Sequence, residues 1–133
     1  MSNIIIYDSK GRILRNVSAP SDMLQIQIQE NEYGLENVEA DLITDYVLNS
    51  VVTKKPTQET TLSKTILTAD GVNSITIFNA PDGIFSATNT VTKETLIGSI
   101  NGTDTFATTI VGTYLVRIES FPYLDFEATI EAI

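Results

Sequence analysis

Three carboxylates stand where a chain turns: Asp82 ahead of Gly83, Asp104 after Thr103, and Asp125 just beyond Pro122. A pair of such groups held about 5 to 9 Å apart across a cleft could hydrolyse a glycosidic bond. Each has Gly, Pro or Thr nearby, however, a setting in which a short carboxylate caps its own turn. A second acidic feature runs from Glu30 to Asp45, where six acidic residues occur without one basic residue. It could collect a calcium ion loosely, but it lacks the alternating acidic spacing of a dedicated loop. Histidine and cysteine are both absent. That removes disulfides, thiolate ligands, the commonest general base and the commonest zinc ligand. The expectation is a chain with no catalytic, cofactor-binding or metal-binding residues, and so no enzyme.

Aromatic side chains offer a different chemistry. Phe121, Tyr123 and Phe126 cluster around Pro122, while Tyr33 and Tyr46 flank the acidic stretch. Aromatics on a loop end can stack on sugars, yet tryptophan, the best platform, is missing, and aromatics at a turn between strands commonly close the end of a core. Phe121, Tyr123 and Asp125 are the expected exposed loop contacts. The 133 residues carry 8 Lys plus Arg against 17 Asp plus Glu. The excess holds on both sides of Pro56, with five basic and eight acidic residues before it and three and nine after. Neither half is built to attract phosphate, which argues against nucleic acid and against an anionic membrane surface. No apolar run is long enough to span a bilayer, and the expectation is a soluble chain folded in a cytoplasm.

The elements that position these residues read as strands. Ile, Val and Thr supply 44 of the 133 residues, an enrichment that favours pleated surfaces. Ile4–Tyr7 and Arg12–Val17 flank the turn-rich Asp8-Ser-Lys-Gly11 and predict a first hairpin. Met23–Gln29 alternates Leu24, Ile26 and Ile28 with glutamines and predicts a strand. Spacing admits a short helix from Leu35 to Ile43, but Gly34 and the hairpin that follows favour a strand through Glu36–Ala40. Tyr46–Leu48 and Val51–Thr53 predict a hairpin closed by Asn49-Ser50. The polar, proline-interrupted Lys54–Thr60 marks the domain boundary. Seven strands are predicted beyond it, near 63–68, 74–78, 83–88, 94–100, 103–108, 113–120 and 126–132. The last two form the clearest pair: Tyr114, Val116 and Ile118 share one face, and Phe126, Ala128 and Ile130 alternate with Glu127, Thr129 and Glu131. A glycine, one residue and then a tyrosine, Gly112-Thr-Tyr114, is the pattern of the corner tyrosine of immunoglobulin-like sandwiches, whose hydroxyl bonds back to the preceding loop.

The segment Glu36–Pro56, with its acidic strand and its tyrosine-valine hairpin leading into a basic residue and a proline, resembles a sequence found in small structural proteins of tailed bacteriophages. Leu67–Ile77 and Gly112–Leu124 look like the sandwich domain appended to such proteins, so the resemblance covers most of the chain. The departures are Asn49-Ser50 in place of a residue followed by glycine, and Leu42 where a proline commonly follows the aspartate. The resemblance implies a virion component, assembled in the host cytoplasm, and does not imply a catalytic site.

Fold class and organisation follow. The chain is expected to be all-β, with a small β-hairpin and β-sheet domain over 1–56, a linker over 57–62, and an immunoglobulin-like β-sandwich over 63–133. An amino-terminal half of this size is marginal alone. The expectation is that it docks onto other virion proteins or onto further copies of itself, through Leu24, Ile26, Ile28, Tyr46, Val51 and Val52. The expected role is a non-enzymatic structural component of tail, fibre or baseplate. The alternatives are an adhesion module that binds a host surface or glycan, or a capsid decoration protein.

Overall fold

A computed structural model describes residues 2–133. The chain is all-β, with 54% of it in strands and 5% in short helical turns. It divides into two compact units, Met1–Pro56 and Thr57–Ile133.

In the first unit, β1 (Ser2–Tyr7) lies between β2 (Ile13–Ala19) and β3 (Tyr33–Glu36), antiparallel to both. Its three consecutive isoleucines, Ile4, Ile5 and Ile6, have no exposed surface. Successive side chains on a strand point to opposite faces, so a fully buried run requires cover on both sides. Ile4 and Ile6 pack with Ala19 and Leu24, backed by Val17 and Ile28. Ile5 packs on the other face with Ile13 and Val47, backed by Leu35 and Val52 among others. The unit thus has more private core than its length suggests.

The turn from β1 to β2 explains its glycine. Asp8 Oδ1 accepts from the backbone N–H groups of Lys10 and Arg12 at 2.9 and 3.0 Å. Gly11 has φ of +91°, and a Cβ there would lie 2.0 Å from the Val47 carbonyl oxygen. The Val47 N–H donates to the Gly11 carbonyl at 2.8 Å, so the turn and the next hairpin touch backbone to backbone. That hairpin is β4 (Asp45–Leu48) with β5 (Val51–Lys54), in register from Asp45↔Lys54 to Leu48↔Val51. Asn49 and Ser50 both adopt positive φ, 50° and 63°, as a two-residue turn between twisted strands demands.

Two expectations fail in this unit. Residues 23–29 are no strand but part of two 3-10 turns, Ser21–Met23 and Gln25–Gln27. The alternation of apolar residues and glutamines mimics a strand, but four-residue spacing puts Leu24 and Ile28 on one side of the turns and leaves Ile26 in water. The strand expected at 36–40 lies earlier, at Tyr33–Glu36, because Asn37 takes φ of 57° and turns the chain. No helix forms over 35–43.

The second unit comprises β6 (Thr61–Leu62), β7 (Ile66–Leu67), β8 (Ile75–Asn89), β9 (Thr95–Phe106), β10 (Gly112–Glu119) and β11 (Phe126–Ala132). Four predicted strands merge into two long ones, because Asp82-Gly83 and Asn101-Gly102 bend the chain instead of reversing it. β8 pairs with β9 along its length, with register shifts between Ile77 and Gly83. Before the bend β8 also pairs with β6; after it, with β10, which pairs with β11, which meets β7 in parallel. Residues from both halves of the bent hairpin, Ile75, Ile77, Phe85 and Ile100, enter one core with Val116, Ile118 and Ile130. Of the strand predicted near 63–68 only Ile66–Leu67 forms, as β7; β6 lies before that range, and the two pair with different strands.

Residues 57–62 are not a linker. The Gln58 side chain is buried, and its Nε2 donates to the Ile118 and Leu124 carbonyls, both at 2.9 Å. Thr60 Oγ1 donates to Gln58 Oε1 at 2.8 Å. The bond expected of the Tyr114 hydroxyl forms: Tyr114 Oη donates to the Ile110 carbonyl at 2.9 Å and lies 2.9 Å from Thr108 Oγ1. Its ring meets Phe106 edge-on, with centroids 5.4 Å apart.

Candidate functional site

The carboxylates do not gather. Asp82 lies in the bend of β8, where its carbonyl accepts from Ser120 Oγ at 2.7 Å. Asp104 lies in β9 and accepts from the Thr105 N–H at 2.8 Å. Asp125 accepts from Arg117 Nε at 3.0 Å and is in closer contact with Nη2. Glu119 and Glu127 stand 3.5 and 3.7 Å from the same guanidinium. Among the described residues, no three Asp or Glu side chains surround a point that could hold a metal ion.

Three residues of the acidic stretch, Glu32, Asp41 and Asp45, are engaged in the fold. Glu32 takes both forks of Arg15, Nη1 at 2.9 Å and Nη2 at 2.6 Å, and also accepts from the Gln29 N–H. These bonds, Arg15 first and Gln29 second, bring its pKa down to about 2. Asp41 Oδ1 accepts from the N–H groups of Ile43 and Thr44. Asp45 is buried; its Oδ2 accepts from the Asp41 N–H at 2.8 Å, and its Oδ1 lies 2.9 Å from Lys54 Nζ, out of line for a regular hydrogen bond. The Asp41 N–H, then Lys54, hold its carboxyl below the ordinary range.

The expected loop contacts are largely tied down. Phe121 and Tyr123 are half-buried, Phe126 packs against the core, and the Tyr123 N–H donates to the Ser120 carbonyl at 2.7 Å. With Asp125 engaged by Arg117, this loop closes one end of the unit. Tyr33 is half exposed and stacks on Tyr7, with centroids 5.7 Å apart.

The six residues expected to form an interface separate into two groups. Leu24 is 1% exposed and belongs to the core, Ile28 and Val52 pack against the two buried clusters, and Tyr46 is half-buried. Only Ile26, 70% exposed, and Val51, 61% exposed, present open apolar surface. Sequence reasoning missed Leu42, Ile43 and Leu48, which are exposed in the same unit.

It also missed β9. Leu96 and Ile97 are 58% and 67% exposed although they point to opposite faces. Ile97 lies across from Ser86 on the outer face of the sheet. There Ser86, Thr88, Leu115, Arg117, Glu127 and Thr129 line a shallow depression of about 430 Å3. Leu96 lies on the other face, at the wall of a smaller cleft of about 290 Å3 beside Phe106, Ile110 and Tyr114. Among the described residues, no strand pairs with the far edge of β9. The available signal was the Leu96-Ile97 pair itself, since neighbours in a strand cannot both face one core.

These are open surfaces suited to contact. No protein-family model matches the chain, and no curated protein or solved structure shows significant similarity to it.

Proposed function

We propose that the chain is a structural component of a tailed-phage virion, of tail, fibre or baseplate type, which docks through Met1–Pro56 and presents Thr57–Ile133 outward. The observation that carries this reading is the apolar surface left in water by a unit of this size: Ile26, Ile43 and Val51 are each more than 60% exposed. Such surface favours burial against other proteins. The resemblance of Glu36–Pro56 to small phage structural proteins supplies the kind of assembly. Repeated copies arranged by symmetry make individually weak contacts strong in sum.

The second unit is proposed to be an immunoglobulin-like sandwich. Support comes from one set in which β6, the first half of β8 and the second half of β9 follow in order, and from a second set in which the first half of β9, the second half of β8, β10, β11 and β7 follow in order. The corner bond of Tyr114 is of the kind such sandwiches carry.

The test is quantitative mass spectrometry of purified virions, with the copy number of this chain scaled to the major capsid and tail-tube proteins. A fixed ratio supports the reading. Absence from the particle overturns it. A second reading, host-surface or glycan binding, is favoured by Tyr33, a half-exposed ring already stacked on Tyr7. Glycan-array binding that Tyr33→Ala abolishes would select it.

A further inference from the structure

We infer that the free edge of β9 is a self-association surface, on which a second copy of this chain adds its own β9 antiparallel across a two-fold axis at Ile97. The proposal concerns the second unit and does not depend on where the first unit docks.

The backbone defines the register. The Asn89 N–H donates to the Glu94 carbonyl at 2.9 Å, so these two form a hydrogen-bonded pair at the mouth of the β8–β9 hairpin. Antiparallel ladders alternate, and the pairs that follow are Thr88↔Thr95, Ala87↔Leu96, Ser86↔Ile97, Phe85↔Gly98 and Ile84↔Ser99. The backbone groups of Leu96 and Gly98 therefore turn toward β8, and those of Thr95, Ile97 and Ser99 turn away from it. Two such edges bond antiparallel when Ile97 faces its own equivalent and Thr95 faces Ser99. In that register Leu96 comes opposite Gly98, where a Cβ would meet nothing within 4 Å. The exposed leucine of each copy thus has open space to enter above the glycine of the other.

Charge does not oppose a second copy at this edge. The second unit holds nine acidic and three basic residues, yet Thr95–Thr103 carries no charge. Two copies meeting here bring no carboxylates together; they meet on Thr, Leu, Ile, Gly and Ser. Edge strands that stay unpaired are ordinarily guarded by Lys, Pro or inward charge, and the edge from Thr95 to Ile100 has none. So short an edge buries less than the roughly 1,000 Å2 of a stable pair. The contact is therefore weak in solution and gains strength when copies are held side by side.

The test uses the full chain. Sedimentation velocity up to about 1 mM is expected to show a concentration-dependent dimer. Ile97→Lys places two like charges on the axis and is expected to leave a monomer; Ser99→Lys, opposite Thr95, does the same. Both side chains point outward, so unchanged unfolding midpoints verify the fold. Because the protein has no cysteine, Ile97→Cys carries a single thiol. Under mild oxidation it is expected to crosslink about tenfold or more faster than Val72→Cys, whose position is 85% exposed and away from the edge. A wild-type chain that stays monomeric throughout overturns the proposal. So does a dimer that survives both lysine variants, or a crosslinking rate equal to that of Val72→Cys.

Discussion

Arg15 and Glu32 join by two parallel hydrogen bonds, and the same two side chains hold the backbone between them. Arg15 Nη2 donates to the Gln27 carbonyl at 2.9 Å, while Glu32 Oε1 accepts from the Gln29 N–H at 2.9 Å. The 3-10 segment that carries Leu24 into the core is thereby clamped to β2. Glu32→Gln keeps the shape but removes the charge that makes the fork strong. The expected result is faster amide exchange at Gln29 and a lower unfolding midpoint for the first unit, with the second unit unchanged.

Acid should act on that unit first, since it holds two carboxylates of lowered pKa, Glu32 and Asp45, against Asp70 in the second. Glu32 and Asp45 both have folded-state pKa values below those of free carboxylates, Glu32 at about 2. A lowered pKa contributes stability that is present above the unfolded-state value of about 4 and is lost as pH falls toward the folded-state value. The expected curve is flat from neutral pH down to about 5, then falls toward about 2. Thermal unfolding followed at Tyr7 and Tyr33, beside the first unit's core, should shift before signals from Tyr114 do. Simultaneous loss of both units would contradict this.

Tyr114→Phe isolates the corner bond. The ring stays against Phe106, but the Ile110 carbonyl loses its donor. A loss of about 1 kcal/mol is expected, seen as a lower denaturant midpoint at constant slope. A neutral result would mean that the carbonyl is satisfied by solvent and that the hydroxyl does not pin the loop.

Gly83 marks the closest approach of the β8 bend to β10. A Cβ there would stand 2.2 Å from the Glu119 carbonyl oxygen and 2.9 Å from Ser120 Cβ. Backbone cannot yield as a side-chain tip can, so Gly83→Ala is expected to cost about 2 kcal/mol or more. Gly98→Ala, with open space around it, should leave monomer stability within about 0.5 kcal/mol of wild type. Chemical denaturation of the two variants compares them directly.

Local chemistry made much of this legible from the chain alone. Asn49-Ser50 tolerates the positive φ its hairpin needs, Asp8 and Gly11 declare their turn, and Gly112-Thr-Tyr114 anticipates the corner bond. Readings failed where tertiary contact decides. Leu24, Ile26 and Ile28 satisfy a period of two and, over Leu24 and Ile28, a period near four; only the cover that Ile4 and Ile6 require distinguishes them. Leu96 and Ile97 read as an ordinary strand, because nothing in a sequence states that a strand lacks a neighbour. Gln58 reads as linker because the carbonyls it serves belong to Ile118 and Leu124, sixty and sixty-six residues away.

That last misreading yields the sharpest test of the domain boundary. Gln58 donates to two carbonyls on either side of the loop at 119–123, and Thr60 in turn fixes the Gln58 amide. Removing the amide takes a donor from one buried and one part-buried carbonyl, a cost of about 1 to 3 kcal/mol for each that neither water nor another donor then satisfies. Gln58→Ala is therefore expected to destabilise the second unit by about 2 kcal/mol or more. A fragment beginning at Thr57 should fold cooperatively, and one beginning at Ser63 should be far less stable, because it loses Gln58, Thr60 and the β6 pairing with Ile77 and Phe78. Equal stability of the two fragments would show that 57–62 is a linker after all, and that the bonds of Gln58 add nothing that water does not replace.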